Sequence, residues 1–242
     1  MSTSESGDGR PIHILFVGAG AVGCFYASRL HHPTKNIHVS LVCRSNYPTI
    51  AASGVTLETR AFGLYTFTPH AVFPSISAAA AATSPWDYVI VTTKALPDVT
   101  DDSADIAPLV DAETCVVLIQ NGVGIEGAHR ARFPRNPIVS AVTVISAEQL
   151  RHGYVRQNRW TRISMVHLFN DLGGLKDAEA HTELELQQIR WHKLTINAAM
   201  NPSAILSGGR GNADMVLDAD LREHLRGVMQ EIWDAAPRYG EE

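Results

Sequence analysis

IHILFVGAGAVGCFYASRL, residues 12–30, decides the fold. An apolar run, IHILFV, meets a glycine cluster and passes straight into a helical pattern. Gly18, Gly20 and Gly23 form a GxGxxG directly after a strand and at the mouth of a helix. The first glycine permits a tight turn, the second lets the backbone approach a pyrophosphate, and the third allows close packing of helix on strand. The helix start adds unpaired N–H groups and the positive end of its dipole. Gly18, Ala19, Gly20, Ala21, Val22 and Gly23 are therefore the candidate dinucleotide cradle. The plain alternative is a glycine-rich turn with no ligand.

Working outward, IHVSLVCR at 37–44 predicts a second strand, ending at Arg44. A site for NAD places a carboxylate about 20 residues past the glycines, on the ribose 2′-hydroxyl. Here the strand runs into Cys43, Arg44, Ser45 and Asn46, with no acid. A guanidinium pairs bidentately with phosphate oxygens, so Arg44 points to the 2′-phosphate of NADP rather than to NAD. A surface arginine is the competing reading.

WDYVIVTTK (86–94), TCVVLIQNG (114–122) and PIVSAVTVISA (137–147) are short, β-branched runs without alternation. That pattern marks strands buried on both faces, as in a parallel sheet. Residues 55–73 alternate weakly and predict a short strand or hairpin excursion, and the alanine tract at 78–82 reads as a helix or a low-complexity connector. Residues 1–10 are polar and read as a disordered tail.

From about Leu172 onward the pattern is helical, in HTELELQQIRWHKLTINAAM (181–200) and DADLREHLRGVMQEIWDAA (218–236). The chain therefore divides into an α/β domain over 11–167 and a helical domain over 168–242, an order that predicts two domains with a cleft between them. On the first helical segment Lys193, Asn197 and Asn201 recur every four residues among apolar neighbours. Each step of four drifts by about 40°, so all three share one face. One ammonium and two amides in such a setting suggest a substrate wall, whereas a stripe facing water is equally consistent with the pattern. Pro202 is expected to leave Asn201 near a kink or helix end.

Composition narrows the function classes. The 242 residues carry 20 Lys and Arg against 25 Asp and Glu, a net charge of −5 that does not suit a nucleic-acid binder. With 45% hydrophobic residues the chain has ample material for a core. No run reaches the roughly 20 apolar residues of a membrane span, and the start lacks the order of a secretion signal. Cys24, Cys43 and Cys115 are odd in number and sit in apolar runs, which suits buried thiols and a cytoplasmic protein. The histidines, including the adjacent His31 and His32, show no ligand spacing, so no metal site is expected. His192 points about 100° away from Lys193 on a helix and reads as structural.

Taken together, GAGAVG (18–23), TTKAL (92–96), QNGVG (120–124), WHKLTINAAMNPSAI (191–205) and RGVMQEIWDAA (226–236) resemble the ketopantoate reductase (2-dehydropantoate 2-reductase) family. The resemblance implies a Rossmann-type NADP(H)-binding domain followed by an all-helical domain. It implies reduction of a 2-keto acid such as 2-dehydropantoate, with a place in pantothenate biosynthesis. By position, Lys193 falls on the family's general acid, and Asn197 and Asn201 on its substrate-binding asparagines. Asn121 falls beside the nicotinamide, Lys94 at the cofactor lysine, and Arg44 where a basic residue meets the 2′-phosphate. Another small ketone, or a degenerate homologue that binds NADP without turnover, are the alternative functions.

Family members run on for roughly fifty or more further residues beyond the point matching Glu242, as a two-domain chain of usual size would. The resemblance puts a serine and a glutamate of the substrate site in that stretch. A truncated helical domain is expected to leave apolar patches uncovered, which a homodimer or partner chain would cover. A fragment, a shortened enzyme completed by a second chain, and a degenerate homologue all stay open.

Overall fold

The computed structural model describes residues 10–82, 85–164 and 182–236. They fall into two compact units, one built from the residues before 121 and from 124 onward to the helical region, the other from Asn121–Val123 and the helices. Residues 1–9 of the predicted tail and the predicted boundary at 167/168 lie outside the described residues.

The first unit begins with β1 (Ile12–Val17), α1 (Ala21–Leu30), β2 (Ile37–Val42), α2 (Tyr47–Ser53), β3 (Val55–Thr59), β4 (Gly63–Phe67), β5 (Val72–Phe73) and α3 (Ile76–Ala80). It continues with β6 (Tyr88–Val91), α4 (Asp102–Ile106), β7 (Cys115–Leu118), α5 (Gly127–Arg132), β8 (Ile138–Ser140), β9 (Val142–Arg151) and β10 (Tyr154–Ser164). Six strands form a parallel sheet in the order β5-β2-β1-β6-β7-β8. Ile14, Leu15, Phe16, Val89, Ile90 and Val91 are fully buried, as expected for strands covered on both faces. The chain leaves β1 toward β2 on one side, and β6 joins on the other. The crevice at the carboxyl ends of β1 and β6 is thus the switch point where ligands of such sheets bind.

A second sheet, β4-β3-β10-β9, packs beside α1. The excursion expected over 55–73 is the antiparallel β3–β4 hairpin. The run 137–147 is not one buried strand. It divides at Ala141 into β8, in the parallel sheet, and β9, which pairs with β10 in the second sheet. The alanine tract forms only the five-residue α3 and the turn after it.

His31 closes α1, and its Nδ1 accepts from the Val39 N–H at 3.1 Å, so that ring is a structural brace. His13 and His38, paired across β1 and β2, lie with His70 in one group whose ring centroids are 4.6–6.0 Å apart, a cluster that sequence spacing hides. All three cysteines are free, with Cys24 and Cys43 buried. No helix among the described residues is long and apolar enough to cross a membrane.

The second unit is helical: α6 (Glu183–Leu206), α7 (Asn212–Leu217) and α8 (Ala219–Ala235). A capping box starts α6, in which Thr182 accepts from the Glu185 N–H and Glu185 accepts from the Thr182 N–H. Pro202 does not end the helix, which runs on to Leu206. Asn201 therefore sits inside α6 rather than at its end. Ala199, Met215 and Leu225 form the core of this unit, flanked by Met200, Ala204 and Leu221. Ile205, Leu206 and Leu217 are 79%, 82% and 80% exposed.

Candidate functional site

In the first unit, the glycine loop carries the candidate cofactor groups. Gly18 has φ +112, a conformation that L side chains rarely adopt. Its carbonyl accepts from Thr92 Oγ1 at 2.6 Å, which ties the loop to the end of β6. A Cβ on Gly23 would strike the Gly18 carbonyl oxygen, so the third glycine does allow helix and strand to touch. A Cβ on Gly20 would meet nothing within 4 Å. That open side, at the N-terminus of α1, is where a pyrophosphate would approach, and the first turn of α1 has no acidic residue to repel it.

Past β2, Cys43 turns inward and Arg44 is exposed. Asn46 is buried, and its Nδ2 donates to the Ala19 carbonyl at 2.6 Å, bracing the loop from the second strand. Lys94 follows β6 and is exposed. Among the described residues no side-chain hydrogen bond or ion pair is seen for Arg44 or Lys94, although the Arg44 carbonyl accepts from the Tyr47 N–H at 3.0 Å. Gln120 donates to Asp102 Oδ2 at 2.6 Å and to the Thr93 carbonyl at 3.1 Å, locking the connection that carries Lys94. Sequence reasoning missed Asn46, Thr92 and Gln120 as supports, since their roles rest on contacts 18–74 residues away.

The second unit holds the other group of candidates. Lys193, Asn197 and Asn201 share one face of α6, while Thr195, Ala199 and Ser203 form the buried stripe on the opposite side. The polar line therefore turns away from the unit's own core. Lys193 and Asn197 are half-buried and Asn201 is exposed. Lys193 Nζ donates to Asn121 Oδ1 at 2.7 Å, so two residues 72 positions apart meet. Burial, and then the positive charge of Arg190, lower Lys193 to about 8. His192 instead sets its ring against Trp233, with centroids 6.4 Å apart.

An ammonium at that value is largely protonated at neutral pH and gives up its proton readily, the properties wanted of a proton donor. The sequence finds this lysine but not its partner Arg190, three residues earlier on the same face.

The family model for ketopantoate reductase PanE/ApbA matches residues 14–168, and the model for the C-terminal part of the same family matches 185–242. The chain belongs to the ketopantoate reductase family. The solved 2-dehydropantoate 2-reductase of Methylococcus capsulatus is 29% identical, with a TM-score of 0.77, over 95% of this chain and 74% of that one. The enzyme of the same name from Geobacter metallireducens is 25% identical, with a TM-score of 0.76, over 93% and 75%. Among curated proteins, Saccharomyces cerevisiae uncharacterized protein YDL144C is 30% identical over 81% of this chain. The chain spans only 64% of that protein's length. Like the ketopantoate reductases of known structure, the chain has a Rossmann-like N-terminal domain with a parallel sheet, followed by a helical domain.

Proposed function

We propose that this ketopantoate reductase homologue is an NADPH-dependent oxidoreductase that reduces the keto group of 2-dehydropantoate or a close 2-keto acid, with Lys193 as proton donor. The observation that carries the reading is Lys193 itself, half-buried, 2.7 Å from Asn121 Oδ1 and lowered to about 8.

The residues present fit the cofactor. Gly18, Ala19, Gly20, Ala21, Val22 and Gly23 would receive the pyrophosphate on the N–H groups of α1, and Arg44 the 2′-phosphate. Lys94 and Asn121 complete the cofactor-binding set. NADPH, when bound, supplies the hydride. As negative charge develops on the keto oxygen, the Lys193 ammonium stabilises it and hands over a proton. Asn197 and Asn201 orient the substrate's hydroxyl and carboxylate with neutral amides. Pantothenate biosynthesis, a cytoplasmic setting and a homodimer or partner chain over the exposed Ile205, Leu206 and Leu217 belong to the same reading.

Turnover measured against pH tests the proton donor. Reduction needs Lys193 protonated, so kcat holds steady below about pH 8 and falls about tenfold per unit above it. A rate flat to pH 10 would remove Lys193 from that role. For Arg44→Ala, loss of a charge-assisted hydrogen bond weakens NADPH about ten- to a hundredfold and NADH by less than about twofold. Titration of both cofactors by fluorescence checks this, and equal losses would sink the 2′-phosphate assignment.

A further inference from the structure

Arg190 lies three residues before Lys193 on α6 and is only 3% exposed. Its Nη1 donates at 2.5 Å to the carbonyl of Gly122, the residue after Asn121. Gly122 has φ +130, a backbone setting that favours glycine. The segment Asn121–Val123 is thus fastened to α6 twice, by Arg190 at the Gly122 carbonyl and by Lys193 at the Asn121 amide. An arginine stays charged wherever it is placed, and residues three apart on a helix are neighbours.

The other groups around Lys193 have different engagements. Asn121 presents a neutral amide from the 121–123 segment. On α8, which packs against α6, His224 reaches Ser203 Oγ at 3.2 Å, ten positions along the helix. His192, on α6 itself, packs on Trp233. Arg190 is the charged neighbour that adds to burial in bringing Lys193 to about 8.

We propose that Arg190 is a positioning residue of the reductase site: it aims Asn121 through the Gly122 carbonyl and keeps a permanent positive charge beside the proton donor. The proposal rests on the reductase reading given above.

Two substitutions in the full chain separate its two tasks. Arg190→Gln keeps an N–H donor and removes the charge, whereas Arg190→Lys keeps the charge and loses the planar fork. Lys193 is titrated directly, without substrate, by competitive acylation with acetic anhydride at stepped pH and mass spectrometry of its peptide. Kinetics with NADPH and 2-dehydropantoate run in parallel. In Arg190→Gln the labelling midpoint of Lys193 rises toward the ordinary lysine value, and the alkaline limb of kcat moves with it. In Arg190→Lys the midpoint stays, while kcat falls about tenfold or more with KM for NADPH within about twofold, as expected for a misplaced group near the chemistry. Removing a buried charge can itself unfold a protein. Arg190→Met, apolar and similar in length, replaces Arg190→Gln if that variant melts below the assay temperature.

An unchanged midpoint in the charge-free variant overturns the electrostatic half. Unchanged kcat in Arg190→Lys overturns the positioning half. Lower melting temperatures with neither effect make Arg190 a structural residue only. If the wild-type chain reduces no 2-keto acid while the midpoint still shifts, the reductase reading fails and the pairing of Arg190 with Lys193 stands.

Discussion

Lys193→Ala lowers turnover of a 2-keto acid by about 10²–10⁴-fold, the usual contribution of a positioned proton donor. The dissociation constant for NADPH changes by less than about twofold, because the pyrophosphate cradle at the glycine loop is built without this side chain. Such a split, with rate lost and cofactor affinity kept, marks an interaction made in the transition state. Lys193→Arg does not restore the rate, since a guanidinium does not release its proton near neutral pH. Steady-state kinetics and a cofactor titration on the same preparations give both numbers. A chain that binds NADPH as a non-catalytic homologue would show no turnover to lose, and a variant with near-normal kcat would remove the lysine from the chemistry.

Gly23→Ala is the second large effect. An alanine in a helix interior ordinarily gains up to about 1 kcal/mol over glycine. Here its Cβ would run into the Gly18 carbonyl oxygen and lie 2.6 Å from Thr92 Oγ1, so helix and strand must separate. Overpacking of this kind costs about 1–3 kcal/mol, which for a chain of this size lowers the melting temperature by about 2–4 °C per kcal/mol. Displacing Gly18 also moves the loop, and NADPH affinity falls more than about tenfold. Gly20→Ala is the informative companion. With nothing within 4 Å of its Cβ, it leaves the melting temperature unchanged and still weakens NADPH, because the methyl group would stand where the proposed cradle receives the pyrophosphate. Calorimetry with cofactor titration separates the two. A Gly23→Ala chain that melts like wild type, or a Gly20→Ala chain that binds NADPH normally, contradicts the placement of the cofactor.

The glycine loop and the parallel strands are legible in the sequence because both depend on local pattern. A run such as Tyr88–Val91 needs only its own residues to show that it is buried on both faces. The row Lys193, Asn197, Asn201 is legible for the same reason, as helical spacing is a local property. The start of β9 falls in the predicted run 137–147, but its hairpin with β10 is not legible. Arg151, Arg156, Arg159 and Arg162 stud it, and register shifts near Val155, Arg159 and Thr161 break the alternation that would reveal a strand. Trp160, with φ +54, sits at that irregularity. Contacts far apart in the chain are hidden too. Asn121–Val123 groups with helices beginning about sixty residues later, although it closely follows β7, and Arg190 and Lys193 both hydrogen-bond to it. The burial of Arg190, a residue type that is mostly exposed, is likewise not a local property of the pattern.

Consumption of NADPH by the purified chain in the presence of 2-dehydropantoate, followed by the absorbance of the reduced nicotinamide, is the most direct test of reductase function. Steady consumption that depends on the keto acid, falls above about pH 8 and disappears in Lys193→Ala is the expected result. Saturable NADPH binding with no consumption, for 2-dehydropantoate and for a series of other 2-keto acids, would contradict it.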